Sequence, residues 1–183
     1  CRSGEGPCHL RSQRLCGSSG GGVEKQRAMA GRGGQMLREQ HARETIDQLL
    51  TACGWSVQDA ETLNISAAVG VAVREFPLLS GFGFADYLLY ADGRAIGIVE
   101  AKPEGHTLTG VEWQSQGYVD GLPEDLPAHR RPLPFHCETT GIETRFSNRL
   151  DPDPRSREVF AFHTPAELLR VFRRHHTNYT GTP

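Results

Sequence analysis

Three charged residues stand inside otherwise apolar runs. Asp86 lies in Phe84-Ala85-Asp86-Tyr87-Leu88-Leu89-Tyr90, and Glu100 and Lys102 close Ile96-Gly97-Ile98-Val99-Glu100-Ala101-Lys102. A charge inside a core strand is costly unless it is paired or bound to a metal. Strand alternation sends Glu100 and Lys102 to one face and Ala101 to the other. Two carboxylates on neighbouring strands, with the Ala101 backbone carbonyl beside them, are hard oxygen ligands of the kind Mg²⁺ takes. A metal held there would polarise a phosphodiester oxygen and lower the pKa of a bound water. Lys102 would stabilise the developing charge or orient that water. The predicted catalytic residues are therefore Asp86, Glu100 and Lys102, and the predicted metal ligands are Asp86, Glu100 and the carbonyl of Ala101.

Convergence of the three depends on strand register. Phe84 to Tyr90 and Ala95 to Lys102 read as strands joined by a hairpin turn at Asp92-Gly93. A plain two-residue turn sets Asp86 opposite Val99, on the wrong face from Glu100. One extra residue, in the turn or as a bulge, sets Asp86 opposite Glu100, because a one-residue slip flips every side chain. The site therefore predicts a bulge or an odd-length turn in this hairpin.

The surrounding elements follow from periodicity. Ile46, Leu49, Leu50 and Cys53 form one stripe of a helix that Gly54 closes. Val69 to Phe76 is strand-like and ends at Pro77, after a turn-rich stretch. Residues 108–120 suit a helix with Leu108, Val111 and Tyr118 on its stripe. Phe135 to Thr139, Ile142 to Phe146 and Val159 to Phe162 are short strand candidates. Thr164-Pro165-Ala166-Glu167 is a capping box with proline at the first helical position, opening a last helix through Phe172. This order predicts an α/β or α+β domain with helices on a sheet.

Residues 1–36 differ from the rest. They hold nine of the 21 glycines, the run Ser18-Ser19-Gly20-Gly21-Gly22 and a net charge of +4, and they lack the apolar surface to offset ordering entropy. The chain begins with Cys1, and Met29 and Met36 are its only methionines; translation from Met29 is the expectation. Of five cysteines, three lie in this segment. No CxxC occurs, and reduced thiols in a cytoplasm are expected. No run approaches the ~20 apolar residues of a membrane span. The absence of GxxxxGK[ST] excludes an ATPase of that type, and the lack of a GxSxG elbow or a Cys/His arrangement disfavours acyl transfer. Residues 37–183 carry 14 basic and 20 acidic side chains, a net of −6, which argues against nucleic-acid binding.

Asp86, Glu100-Ala101-Lys102 and the hairpin between them resemble the core of the PD-(D/E)xK nucleases, with Ala85 where the family name has proline. Gln114-Ser115-Gln116-Gly117-Tyr118 resembles the QxxxY motif of several branches. Arg74 to Leu78, Gly83 to Tyr90, Val99 to Pro103, Thr140 to Phe146, Leu150 to Arg157 and Phe162 to Pro165 are similar to blocks of the N-terminal nuclease domain of the R subunit of type I restriction enzymes. The resemblance covers roughly residues 37–175 and implies a restriction-endonuclease-like α/β fold, a central mixed sheet flanked by helices. It implies an Mg²⁺-dependent endonuclease cutting DNA. Gln114 and Tyr118 would be DNA-binding or lysine-orienting, and Glu39 a possible accessory acid. The implied partners are DNA and the methylation and specificity subunits of a restriction complex, with no membrane. ATP would act only through a motor domain absent from this chain. On this reading residues 1–36 are an unstructured extension, 37–175 the nuclease domain and 176–183 a truncated linker toward the motor. The competing reading is a nuclease-like scaffold or docking module that no longer cuts.

Overall fold

The computed structural model describes residues 40–108 and 121–179, with side chains through residue 176. Helix α1 covers residues 40–52. Ile46 and Leu50 on its inner stripe are fully buried, and Gly54 ends it at φ 84°, a left-handed backbone suited to glycine. Seven strands follow: β1 (Ser56–Asp59), β2 (Gly70–Pro77), β3 (Phe84–Ala91), β4 (Arg94–Ala101), β5 (Phe135–Thr139), β6 (Thr144–Asn148) and β7 (Arg157–Val159). Helix α2 (Pro165–Tyr179) closes the described chain. Neither helix is long and apolar enough to cross a membrane.

The strands form one mixed sheet in chain order, parallel at β1/β2 and β4/β5 and antiparallel elsewhere. The protein is therefore α/β with a seven-stranded mixed sheet. Ile46 and Leu50 of α1 and Leu168, Leu169 and Phe172 of α2 share one core with Tyr87, Leu89, Val99, Phe135 and Cys137. A second core gathers Val71, Val73, Leu88, Ile98, Leu122 and Leu133. Among the described residues, both helices thus serve one sheet face, while irregular segments cover the other.

Several predicted elements sit elsewhere than periodicity suggested. Ser56–Asp59, read as turn-rich, is an edge strand paired in parallel to β2. Ile142 is 78% exposed in the turn before β6; Gly141, at φ 83°, and Thr139 and Thr140, whose hydroxyls accept amide hydrogen bonds, build that turn. Strand β7 ends at Val159, and Phe160 is fully exposed. The last helix runs to Tyr179, so residues 176–179 belong to it and not to a linker. Its capping box is reciprocal: the Thr164 amide donates to Glu167 Oε2 at 2.9 Å and the Glu167 amide to Thr164 Oγ1 at 3.2 Å.

Candidate active site at the end of β4

The hairpin contains the expected bulge. Near the turn, where Asp92 and Gly93 both have positive φ, Tyr90 pairs with Ala95; beyond it Leu89 pairs with Gly97 and Tyr87 with Val99. Ile96 is the extra residue. The pairing stops at Tyr87 opposite Val99; the same register continued by one residue would set Asp86 against Glu100.

Asp86 lies at the seam between β3 and β4. Its Oδ2 accepts a hydrogen bond from the Ala101 amide at 2.9 Å. On the other side of β3, Glu75 takes φ 45° and pairs with Arg43 of α1. A cavity of about 240 Å³ brings Asp86 together with Ala42, Arg43, Ala101, Lys102 and Pro103. A second, of about 350 Å³, continues from Asp86 and Arg43 to Glu75 and Arg74. Burial pushes the Asp86 carboxyl above its ordinary value and Glu100 adds to this, while the Ala101 amide, Arg43 and Lys102 oppose it.

Glu100 projects from the opposite side of β4 to Val99, which belongs to the helix-side core. The Lys102 ammonium donates to Glu100 Oε1, and His136 Nε2 stands 3.7 Å from Glu100 Oε2. The imidazole first, and then Lys102, hold the Glu100 carboxyl below its usual value against burial. Strand β5 runs beside β4 with Ile98 opposite His136 and Glu100 opposite Glu138. Glu138 is only 5% exposed, and burial raises its pKa, reinforced by Glu100 and opposed by His136. Ligand atoms of Glu100, His136 and Glu138 lie within 4.8 Å of one another.

The predicted residues therefore fare unequally. Asp86, Ala101 and Lys102 meet around one cavity, and Glu100 is joined to Lys102. Asp86 and Glu100 approach the same stretch of β4 but are not pooled into one cluster: no group of three potential ligands containing Asp86 closes within 4.8 Å among the described residues. Glu39, Gln114 and Tyr118 lie outside the described residues. Four arginines whose charge could otherwise meet phosphates are engaged within the chain. Arg131 donates to the Leu126 carbonyl at 2.8 Å, and Arg145, Arg155 and Arg157 pair with Glu143, Asp153 and Asp151.

Sequence reasoning missed Arg43, His136 and Glu138. Arg43 was legible in principle as the residue four before Asp47 on the inward side of α1, where Asp47 takes Arg74 and the Tyr87 hydroxyl. His136 and Glu138 occupy the polar positions of Phe135-His136-Cys137-Glu138-Thr139, the same one-residue alternation as Glu100 and Lys102. Compared with protein families, curated proteins and solved structures, the chain matches none of them.

Proposed function

We infer that this domain hydrolyses phosphodiester bonds in DNA with the help of Mg²⁺, using Asp86, Glu100 and Lys102. The observation that carries the reading is the bulge opposite Leu89 and Tyr90, without which Asp86 and Glu100 would face opposite sides of the hairpin. The resemblance to restriction-subunit nucleases supplies DNA as the polymer and a multi-subunit restriction complex as the setting.

The donors suit a hard cation in kind, since two carboxylates and a carbonyl are the oxygen set Mg²⁺ accepts. Asp86 Oδ1 takes no hydrogen bond among the described residues, so one oxygen remains for a ligand while the other is anchored on Ala101. Asp86, Glu100 and the Ala101 carbonyl would hold the ion. When bound, Mg²⁺ supplies Lewis-acid polarisation of the phosphate and a more acidic water. Lys102 exchanges its bond to Glu100 for one to the scissile phosphate, placing positive charge where negative charge develops. Arg43, at the rim of both cavities, meets the phosphate backbone as it enters.

Plasmid nicking tests this reading. The chain is expected to nick in Mg²⁺ and not in chelator, and Asp86→Asn and Lys102→Ala to lower the rate by ~100-fold or more. Nicking that proceeds equally well in either variant would remove these residues from the chemistry.

A further inference from the structure

We propose that Glu100, His136 and Glu138 form a binding site for a divalent first-row transition metal, of the Mn²⁺ to Zn²⁺ type, that does not require Asp86. The three side chains come from two neighbouring parallel strands in a fixed register, Glu100 directly opposite Glu138 and His136 two residues before it. Because Val99, Phe135 and Cys137 fill the helix-side core, alternation sends all three candidate ligands to the other face.

Their ligand atoms lie within 4.8 Å of one another. Metal–ligand bonds of about 2.0–2.2 Å hold ligand atoms no more than about 4.4 Å apart, so small side-chain rotations close the set. A cluster alone would be weak grounds. Glu138 supplies the second observation: the residue is 95% buried, and its Oε1 has no hydrogen-bond partner. One oxygen of the same carboxylate lies inside the cluster.

Among the described residues, the two nearest fixed cations bond groups other than Glu138. Lys102 is on Glu100, and Arg145, the cross-strand neighbour of Glu138, donates to Glu143 at 3.1 Å. An unmet buried acceptor destabilises the folded chain, and like charges directly opposite add to that. A cation between the three groups answers both.

Donor type narrows the ion. Mg²⁺ and Ca²⁺ favour all-oxygen sets, whereas one imidazole with two carboxylates suits Mn²⁺, Fe²⁺, Co²⁺ or Zn²⁺. Glu100 is shared with the proposed hydrolytic site, but metal binding here stands without any cleavage activity.

Co²⁺ is the probe, read by visible absorption and by melting temperature with and without the metal. The wild-type chain is expected to bind Co²⁺ and to melt higher with it. His136→Gln and Glu138→Gln should each weaken binding at least tenfold and lose the metal-dependent rise in melting temperature. Asp86→Asn should keep both. Glu138→Gln is nearly isosteric and should melt no lower than wild type without metal, which separates lost binding from lost folding. The proposal is overturned if both variants titrate like wild type, because the ion then sits on other groups. It is equally overturned if Asp86→Asn removes binding as strongly as His136→Gln. Absent nicking with Co²⁺ binding that follows His136 and Glu138 would defeat the hydrolytic reading and leave this site intact.

Discussion

The two flanks of β4 accommodate buried carboxylates in opposite ways. On the β3 side the backbone gives way: a bulge shifts the register, Glu75 adopts φ 45°, and Asp86 takes the Ala101 amide as its hydrogen-bond donor. On the β5 side the ladder runs unbroken from Gly97 opposite Phe135 to Ala101 opposite Thr139, and it sets Glu100 against Glu138. The β3/β4 pairing stops at Tyr87 opposite Val99, and beyond it the Ala101 N–H serves the Asp86 carboxylate. On the β5 side the pairing continues, and there the carboxylates depend on cations instead. Lys102 and His136 serve Glu100, and nothing among the described residues bonds Glu138 Oε1.

The regular flank depends on close approach, and Gly97 is where that is most exposed to test. A Cβ built on Gly97 would stand 2.9 Å from the Phe135 carbonyl oxygen, a backbone atom that cannot rotate away. Gly97→Ala should therefore cost about 3 kcal/mol by overpacking, measured by denaturant unfolding. An unchanged midpoint would mean that β4 and β5 are not joined as tightly as their register requires.

The distorted flank should lose less. Asp86→Ala leaves the Ala101 amide without its acceptor, at a cost of about 2 kcal/mol, or roughly 4–8 °C in melting temperature for a domain of this size. Asp86→Asn keeps an acceptor and should recover most of the loss. Equal melting of Asp86→Ala and wild type would show that the side chain does not complete the ladder.

The two flanks were also unequally legible in the sequence. The β3/β4 hairpin is local: Asp92-Gly93 marks the turn, the apolar runs mark the strands, and the need to bring Asp86 to Glu100 called for the bulge that is present. The β4/β5 pairing joins segments separated by more than thirty residues, and nothing in either strand states which neighbour it takes. His136 and Glu138 were therefore seen as residues of a short strand but not as neighbours of Glu100. The edge strand Ser56–Asp59 was lost for a related reason. Its side chains are only partly buried, so it lacks the alternation that reveals a strand. Ile142 and Phe160 misled because apolar residues normally mark strands, whereas here both lie exposed in bends.

Glu138→Gln should change stability with the opposite sign from Asp86→Ala. Removing one of two like charges held opposite each other relieves repulsion worth about 1 kcal/mol at most, and the amide can still occupy the same space. Without added metal, a higher unfolding midpoint than wild type is expected. A lower midpoint would mean that the Glu138 carboxylate is stabilised by contacts other than those of the β5 flank.

A third carboxylate, remote from β4, provides the reference for a well-satisfied acid. Glu167 receives the Thr164 amide and hydroxyl at the start of α2, and these hydrogen bonds hold its carboxyl below the ordinary value. Because the folded-state pKa is the lower one, the unfolded chain binds more protons between the two values. The stabilisation is thus present above the ordinary carboxylate range and is lost as pH falls through the folded value. Glu167→Gln should cost only about 0.5 kcal/mol at neutral pH, the scale of a charge at an exposed helix N-terminus. Its acid-side stability profile should be flatter than that of wild type. The sign runs opposite to that of the buried Glu138, whose raised pKa favours the folded state on the acid side. A Glu167→Gln profile that parallels wild type through the acid range would show that the capping carboxylate titrates alike in both states, and it would then no longer serve as the reference for the β5 flank.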